Sequence, residues 1–289
     1  MVAVIDTNRD TTAQIGCLKT SGVNTIIRYY NRDGTPKVIK RREADAILAA
    51  GLSLMIVHQR GGRDPDEYSP DTGKADASHC RDYGGTVIGQ PSGSAIYFAV
   101  DFDISKPDIN AHVVPFFEAV NEEMSQSDGR PTYRIGVYGS GLTCKTLLDM
   151  DLVKLTWLSQ STGFRGTPEF NASRRWNLLQ LLPQNVCGIS VDPNIVNPDK
   201  PDFGQFGAGG RIPAPAPGPD GVVRRFRVIA RDGLRLRSGP GLEFDRLGLL
   251  PFGTVVTAVR REGEWTFVDL QGDGAVDGAV FSALLSPLD

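Results

Sequence analysis

Short apolar runs alternate with helical patterns along most of the chain before residue 207. Runs rich in Val, Ile, Leu and aromatic residues predict strands at 2–6, 25–30, 53–58, 95–101, 134–138, 155–160, 176–181 and 187–192. Helical patterns lie between some of them, at 41–50, 107–124 and 140–150. Because the runs are apolar at nearly every position, they favour strands buried on both faces, as in a parallel sheet.

Strands joined by helical crossovers predict an irregular (β/α)8 barrel of the TIM type. The length of this part is near the lower limit for that fold. The connections at 160–176 and 181–187 are too short or too irregular for regular helices, so we expect degenerate helices in the second half. An open, doubly wound sheet is the competing fold. It requires a glycine-rich phosphate-binding turn after the first strand, and the sequence DTNRD at 6–10 offers none.

A second domain follows a proline-rich spacer. Residues 207–221 read GAGGRIPAPAPGPDG, which is typical of a semi-rigid, extended linker. It separates a predicted barrel at 1–206 from a smaller domain at 222–289. In the smaller domain, turn signals recur about every ten residues, which predicts a small antiparallel β-barrel.

Composition excludes several classes of protein. The chain has 289 residues, 40% hydrophobic and 22% charged, which is ordinary for a globular protein. A net charge of -3 gives no overall attraction to nucleic acid or anionic lipid, and no apolar run approaches the roughly 18–20 residues of a membrane span. We therefore expect neither nucleic acid nor membrane as a partner, and we expect a monomer.

The start of the chain reads directly as a strand. MVAVID at 1–6 lacks the basic region, apolar stretch and cleavage site of an ordinary secretory signal. We expect delivery through cell lysis, as in phage endolysins, or through a dedicated secretion system. A trimmed periplasmic protein is equally compatible with this start.

Cysteine and histidine patterns point away from a metal centre. The four cysteines are scattered without a CxxC pair: Cys17, Cys80, Cys144 and Cys187. We expect buried or half-buried thiols, and one disulfide remains an alternative. His58, His79 and His112 have no ligand spacing, so we expect no metal, and no organic cofactor is implied.

Carboxylates follow several predicted strands. In a barrel, functional groups lie at the carboxyl ends of the strands. Four carboxylates are expected at this rim: Asp6, Asp101, Asp103 and Asp192. Asp101 and Asp103 are two residues apart, so they face one side of a strand about 6.5 Å apart. Glycoside hydrolysis uses two carboxyl groups about 5–9 Å apart, one of which donates a proton to the leaving oxygen.

The alternative is a purely structural role for these carboxylates. In that interpretation Asp6 caps a helix, and Asp192, which precedes a proline, opens a turn.

Polar and aromatic side chains near the same strand ends are candidates for binding substrate. We expect the following residues to contact sugar: Arg28, Tyr30, Tyr138, Trp157, Gln160 and Gln180. The aromatic rings in this set would stack on sugar faces.

Several motifs in the larger domain resemble a known family. They are DTN at 6–8, YFAVDFD at 97–103, GVYG at 136–139, WLSQ at 157–160 and VDPN at 191–194. Together they resemble the bacterial glycoside-hydrolase-like domain of unknown function 1906. That family is similar to the family-25 glycoside hydrolases, which are lysozymes on an irregular β/α barrel. The resemblance covers about residues 1–204.

The resemblance implies roles for the four carboxylates. Asp6, Asp101 and Asp192 match aspartates that line the lysozyme cleft, and Asp103 stands where the lysozymes carry their proton-donating Glu. It implies Asp103 as the acid, Asp101 as nucleophile or stabiliser, and positioning roles for the other two. The reference pKa of Asp is about 3.9 against 4.3 for Glu, so an Asp needs desolvation to serve as the acid.

The smaller domain resembles bacterial Src-homology-3-like domains. The matching motifs are LRLRSGPG at 234–241, GTVV at 253–256 and GEWTFV at 263–268. Such domains commonly bind wall peptides and are often fused to wall hydrolases. Because nine Arg balance nine Asp and Glu in this domain, binding should not depend on bulk charge.

These observations predict a two-domain peptidoglycan hydrolase that cuts a glycosidic bond. A second hypothesis is a binding protein that holds wall glycan without cutting it. A third is a hydrolase of another polysaccharide whose small domain binds protein. New reducing ends released from wall material would favour the first hypothesis over the second.

Overall fold

The computed structural model describes residues 3–61, 63–207, 224–242, 244–270 and 276–288. The chain divides into two compact units, Met1–Gly210 and Arg211–Asp289. This division falls within the predicted linker, of which residues 208–221 lie outside the described residues.

The first unit is built on a closed sheet. Its strands are β1 Val4–Asp6, β2 Thr25–Tyr30, β3 Ser53–His58, β4 Ala95–Val100, β5 Arg134–Gly139, β6 Leu155–Leu158, β7 Leu178–Gln180, β8 Gln184–Val186 and β9 Ile189–Val196. Strands β1 to β7 lie side by side in chain order, each parallel to the next. Strand β9 closes the barrel by pairing with both β7 and β1. The predicted α/β barrel is therefore confirmed.

The last barrel strand departs from the TIM pattern. Strand β9 runs antiparallel to β1 and β7, and it forms a hairpin with β8. A parallel return needs a crossover connection, usually a helix, and the short segment after β7 contains none. The expectation of eight parallel strands is wrong here. Asp192 consequently lies within β9, in register with Asp6 of β1, instead of following a strand.

Helices cover the outside of this sheet. They are α1 Ile15–Thr20, α2 Arg41–Ala49, α3 Pro70–Asp82, α4 Lys106–Asp108, α5 Val114–Met124, α6 Gly141–Asp149 and α7 Thr167–Ala172. Two π-helical turns, Tyr83–Ile88 and Ile109–Val113, extend α3 and join α4 to α5. The Ser69 side chain caps α3 and that of Ser140 caps α6, which fixes where each helix leaves its preceding loop. The three predicted helices are found within a few residues of their expected ends.

Two apolar cores lie on opposite faces of the barrel sheet. Alternate residues of each strand, such as Ile27, Met55 and Tyr97, fill the barrel interior. Their neighbours, such as Ile26 and Ile56, pack against the helices. Successive side chains of a strand point to opposite faces, so neighbouring residues join different cores. The same alternation determines which side chains face the barrel mouth.

A disulfide joins Cys17 in α1 to Cys187 in the turn between β8 and β9. Cys80 and Cys144 are free and buried. The expectation of thiols is therefore wrong for the first pair, whose members are 170 residues apart in sequence and adjacent in space. The bond ties the hairpin that carries Asp192 to the helix that follows β1.

The second unit is an all-β sheet. Its strands are β10 Arg224–Val228, β11 Leu234–Arg237, β12 Arg246–Leu250, β13 Val255–Glu262, β14 Trp265–Asp269, β15 Gly278–Phe281 and β16 Leu285–Pro287. They pair antiparallel in the order β12-β11-β15-β14-β13-β10-β16. A compact core that includes Val228, Leu236 and Val268 lies beneath. The predicted small antiparallel fold is confirmed.

Candidate active site

A polar cavity of about 170 Å³ opens at the carboxyl ends of the parallel strands. Side chains from seven barrel strands or the loops after them line it: Tyr29, Val57, Gln59, Ala99, Asp101, Tyr138, Trp157, Gln160, Ser161, Gln180 and Asp192. The site therefore belongs to the barrel mouth, where the sequence predicts it.

Asp6 lies beneath this cavity and is 1% exposed. Its carboxylate accepts hydrogen bonds from Asn194 Nδ2 at 2.9 Å, Gln180 Nε2 at 3.2 Å and Tyr29 Oη at 3.2 Å. Each of these donors is neutral. The carboxyl group is thus held in place by hydrogen bonds without an opposing charge from any of these three partners.

Two further carboxylates face the cavity itself. Gln180 Nε2 also lies 3.3 Å from Asp192 Oδ2, so one amide group touches two carboxylates. Asp101 directly follows β4 and accepts a hydrogen bond from Gln59 Nε2 at 3.2 Å. The structure thus brings Asp6, Asp101 and Asp192 to one site.

Burial raises the pKa of all three carboxyl groups. The pKa of Asp6 rises from 3.8 to about 7, mainly because of desolvation, with a smaller contribution from the charge of Asp192. Desolvation also raises the pKa of Asp101. The pKa of Asp192 rises through desolvation and then through the charge of Asp101. Such groups hold a proton at a higher pH than an exposed aspartate does.

Asp103 lies outside the cavity lining. Strand β4 ends at Val100, so the alternation that brings Ala99 and Asp101 to the cavity does not continue to Asp103. Its carboxylate accepts a hydrogen bond from the backbone N–H of Arg165 at 2.8 Å and pairs with the Arg165 guanidinium at 3.0 Å. The expectation that Asp101 and Asp103 face the cavity together is wrong.

Arg28 and Tyr30 point away from the cavity, which corrects their expected place in the site. Both are fully buried on the helix-facing side of β2. Arg28 forms a two-bond ion pair with Glu43 of α2, at 2.8 and 3.0 Å, and Tyr30 donates to Gln90 Oε1 at 2.9 Å. The side chain of β2 that reaches the site is Tyr29, one residue away from each.

The other four predicted binding residues line the cavity. Tyr138 donates to Gln180 Oε1 at 2.7 Å, and Trp157 donates to Asn194 Oδ1 at 2.7 Å. Trp157 is 1% exposed and packs edge-on against Tyr138, so it forms the wall of the cavity instead of an open stacking face. Gln160 Oε1 is buried without a hydrogen-bond partner in the described structure, which leaves an acceptor for a bound ligand.

Three further residues donate hydrogen bonds to these carboxylates and are not among the predicted site residues: Tyr29, Gln59 and Asn194. A positional signal existed for Gln59, which directly follows β3 as Asp101 follows β4. Asn194 is two residues from Asp192 and therefore shares its face of β9.

This geometry suits acid and base chemistry on a neutral, hydroxyl-rich ligand. A carboxyl group with a raised pKa donates a proton, and a nearby ionised one stabilises positive charge or activates water. Amide, hydroxyl and indole groups provide hydrogen bonds around them. In the parts of the chain that the structure describes, no cluster of three or more His, Cys, Asp or Glu side chains is arranged to hold a metal ion.

The fold and this site define a glycoside-hydrolase-like barrel joined to a bacterial SH3 domain. The chain belongs to the family of Rv2525c-like, glycoside hydrolase-like domains, which matches residues 16–188. Residues 232–286 match the bacterial SH3 domain family. Both resemblances expected from the sequence are confirmed.

Two proteins of Bacillus subtilis (strain 168) are similar in sequence. The uncharacterized protein FadG is 30% identical over 190 residues, which are 62% of this chain and 32% of FadG. The uncharacterized protein YbfG is 32% identical over 138 residues, which are 46% of this chain and 19% of YbfG. This chain therefore spans a third or less of either relative.

Crystal structures of the Mycobacterium tuberculosis Tat-secreted protein Rv2525c share the fold. The complexes with HEPES and with L-tartrate are 22% and 21% identical to this chain, each with a TM-score of 0.58. Each alignment covers 70% of this chain and 97% of Rv2525c. At this identity the likeness establishes the architecture of the barrel.

Proposed function

We propose that this protein hydrolyses a glycosidic bond in peptidoglycan and that its SH3 domain attaches it to the wall. The observation that carries the proposal is the group of three carboxyl groups around one polar cavity, each with a raised pKa. Desolvation keeps a proton available for the leaving oxygen, and hydrogen-bonding side chains surround the sugar-sized opening.

Asp101 is the proposed proton donor. It faces the cavity, its pKa is raised by burial, and Gln59 fixes its orientation. Asp192, on the antiparallel strand, is the proposed stabiliser or nucleophile. Asp6 is a positioning residue, because it orients Gln180 and Asn194 without reaching the cavity lining.

This assignment differs from the one that the resemblance to lysozymes implies. The resemblance implies that Asp103 is the acid. In the structure, the Asp103 carboxylate is paired with Arg165, and the Asp103 side chain is more than one third exposed. A general acid must lie within hydrogen-bond reach of the leaving oxygen, and Asp103 does not line the cavity.

The test is digestion of purified peptidoglycan by the full chain, with mass spectrometry of the soluble products. We expect new reducing sugar ends from the native protein and from Asp103→Asn, and none from Asp101→Asn. Activity lost in Asp103→Asn but kept in Asp101→Asn would return the acid role to Asp103. No products from the native protein, together with wall binding, would favour a glycan-binding protein on a hydrolase fold.

The SH3 unit is the proposed wall-attachment module. It has an open groove of about 1200 Å³ with both apolar and charged lining residues, including Arg235, Leu242, Glu264 and Trp265. Such a mixture suits an extended peptide with charged ends. Competition tests it: free stem peptides should release the full chain from sedimented wall material, whereas peptide-free glycan should release it less.

A place of action outside the cytoplasm fits two observations. The Cys17–Cys187 disulfide is of a kind that persists in oxidising compartments and is rare in reducing ones. The structural relative Rv2525c is described as Tat-secreted. In the described part of the chain, no helix is long and apolar enough to cross a membrane.

A further inference from the structure

A second, wider opening lies beside the polar cavity. It is an open groove of about 550 Å³ between the loops that follow β1, β2 and β3. Its described lining consists of Asn8, Arg9, Asn31, Asp33, Thr35, Pro36, Lys37, Arg60 and Gly61. Three cations and one carboxylate are among these residues, so the groove carries an excess of positive charge.

Lys37 stands at the border between the groove and the cavity. Its ammonium group donates to Gln59 Oε1 at 3.0 Å and lies 5.2 Å from the centre of the Tyr29 ring. Gln59 in turn donates to Asp101, and Tyr29 donates to Asp6. The groove is therefore connected to Asp101 and Asp6 through one lysine and two neutral side chains.

The loop that carries Lys37 is fixed to the barrel. Val38 forms a β-bridge with Tyr29, and Ile39 N–H donates to Tyr29 O at 3.0 Å. Burial lowers the pKa of Lys37, and the nearby charges of Asp101 and Asp33 oppose this. The half-buried ammonium is held in place over the groove, where an anion would strengthen its charge-assisted hydrogen bonding.

The groove also contains an unused hydrogen-bonding atom. Thr35 Oγ1 is buried and has no hydrogen-bond partner in the described structure. Arg9 is exposed on the groove wall, and Arg60 reaches the same opening while its guanidinium approaches Asp76 at 3.6 Å. Cationic and neutral polar groups are thus available together around one opening.

We propose that this groove is a subsite for a carboxylate carried by the glycan, with Lys37 as the specificity-determining residue. This inference depends on the proposed function, because it names the substrate class for the same site. A sugar in the cavity would place its charged substituent over the groove, where Lys37 and Arg9 bind it. A neutral glycan would give these cations no carboxylate to bind.

The test compares tetrasaccharides that differ in charge. The peptide-free repeat of N-acetylglucosamine and N-acetylmuramic acid carries lactyl carboxylates, a hyaluronan tetrasaccharide carries glucuronate, and chitotetraose is neutral. Binding is measured by calorimetry on the full chain in the Asp101→Asn background, so that the ligands stay intact. We expect a charged tetrasaccharide to bind about tenfold more tightly than chitotetraose, with the preference shrinking as salt is added.

Substitutions in the groove assign the preference to its cations. Lys37→Met should remove most of the tenfold difference, Lys37→Arg should retain it, and Arg9→Gln should reduce it about threefold without touching the cavity. Lys40→Gln is the matched control, because Lys40 is exposed at the start of α2 and outside the groove. Which charged ligand binds more tightly identifies the carboxylate as lactyl or uronate.

Two outcomes overturn the inference in distinguishable ways. If all three tetrasaccharides bind with equal affinity, or if Lys37→Met and Arg9→Gln leave the charge preference intact, the anionic subsite is wrong and the glycan site stands. If none of the three binds, the proposed function fails together with the subsite.

Discussion

The barrel buries charge on both faces of its sheet, and the two faces hold it differently. On the outer face, the Glu43 carboxylate forms two hydrogen bonds with the Arg28 guanidinium. On the inner face, the hydrogen-bond donors to Asp6 are neutral amides and a phenol. On the outer face, the positive charge of Arg28 compensates the negative charge of Glu43. On the inner face, the raised pKa of Asp6 keeps its carboxyl group protonated, and so uncharged, to a higher pH than an ordinary aspartate.

This difference distinguishes an ion pair that stabilises the fold from carboxyl groups that are available for chemistry. The buried ion pair between Arg28 and Glu43 fixes two elements to each other, and it lies on the face of the sheet away from the cavity. A desolvated carboxyl group on the inner face has a raised pKa, and one that also faces the cavity, as Asp101 does, is able to exchange a proton with a ligand. The inner face is therefore the one suited to catalysis.

The largest expected effect breaks the outer pair. Arg28→Met should lower the free energy of unfolding by about 3–5 kcal/mol, because it leaves the Glu43 carboxylate buried without its cation, with hydrogen bonds from Thr11 as its remaining partners. Urea unfolding measures this loss. The double variant Arg28→Met/Glu43→Leu should recover much of it, and a single variant as stable as the native protein would contradict the structural role.

The second effect concerns the hairpin that carries Asp192. Cys17→Ser/Cys187→Ser should lower the free energy of unfolding by about 2–4 kcal/mol, because the disulfide closes a loop of 170 residues. Urea unfolding with and without reductant checks the result. Reductant should destabilise the native protein and leave the double variant unchanged; equal responses would argue against the bond.

The third effect is the pH dependence that Asp6 adds to stability. Its pKa is about 7 in the folded protein and 3.8 as an ordinary aspartate, so between these values only the folded state holds the proton. Stability due to Asp6 should therefore fall by about 1.4 kcal/mol for each pH unit across this window as pH rises. Asp6→Asn should remove that part of the slope in urea unfolding between pH 4.5 and 7; unchanged slopes would contradict the raised pKa.

The smallest effect is expected at the rim. Asp103→Asn removes a partly exposed ion pair with Arg165, which is worth at most about 1 kcal/mol. Thermal and urea unfolding should change little, and the release of wall fragments should continue. A loss of activity with intact folding would show that the rim carboxylate takes part in the chemistry.

Much of the barrel could be predicted from its apolar runs. The first seven predicted strands correspond to β1 to β7, because continuous hydrophobic runs of strand length leave few alternatives. The direction of β9 could not be read in this way, because an apolar run gives the presence of a strand and not its partner. The short connection after Leu181 was the available signal, since it has no room for a crossover helix.

The site was predictable in position and less so in its members. The positions of Asp6, Asp101 and Asp192 relative to the strands predict their place at the site. The predicted orientation of Arg28 and Tyr30 is wrong, because β2 is buried on both sides and its sequence lacks the polar alternation that would reveal which face each side chain joins. The Cys17–Cys187 bond joins distant parts of the chain, and no spacing rule connects them.

The most direct test of the central claim is a carboxyl titration by ¹³C NMR on the full chain labelled at aspartate. We expect one aspartate signal to titrate near pH 7 and to be missing from the spectrum of Asp6→Asn. We also expect the Asp101 carboxyl group, assigned through Asp101→Asn, to titrate above its ordinary value of 3.8. If both groups titrate at or below that value, the inner face does not hold protons and the proposed acid chemistry is contradicted.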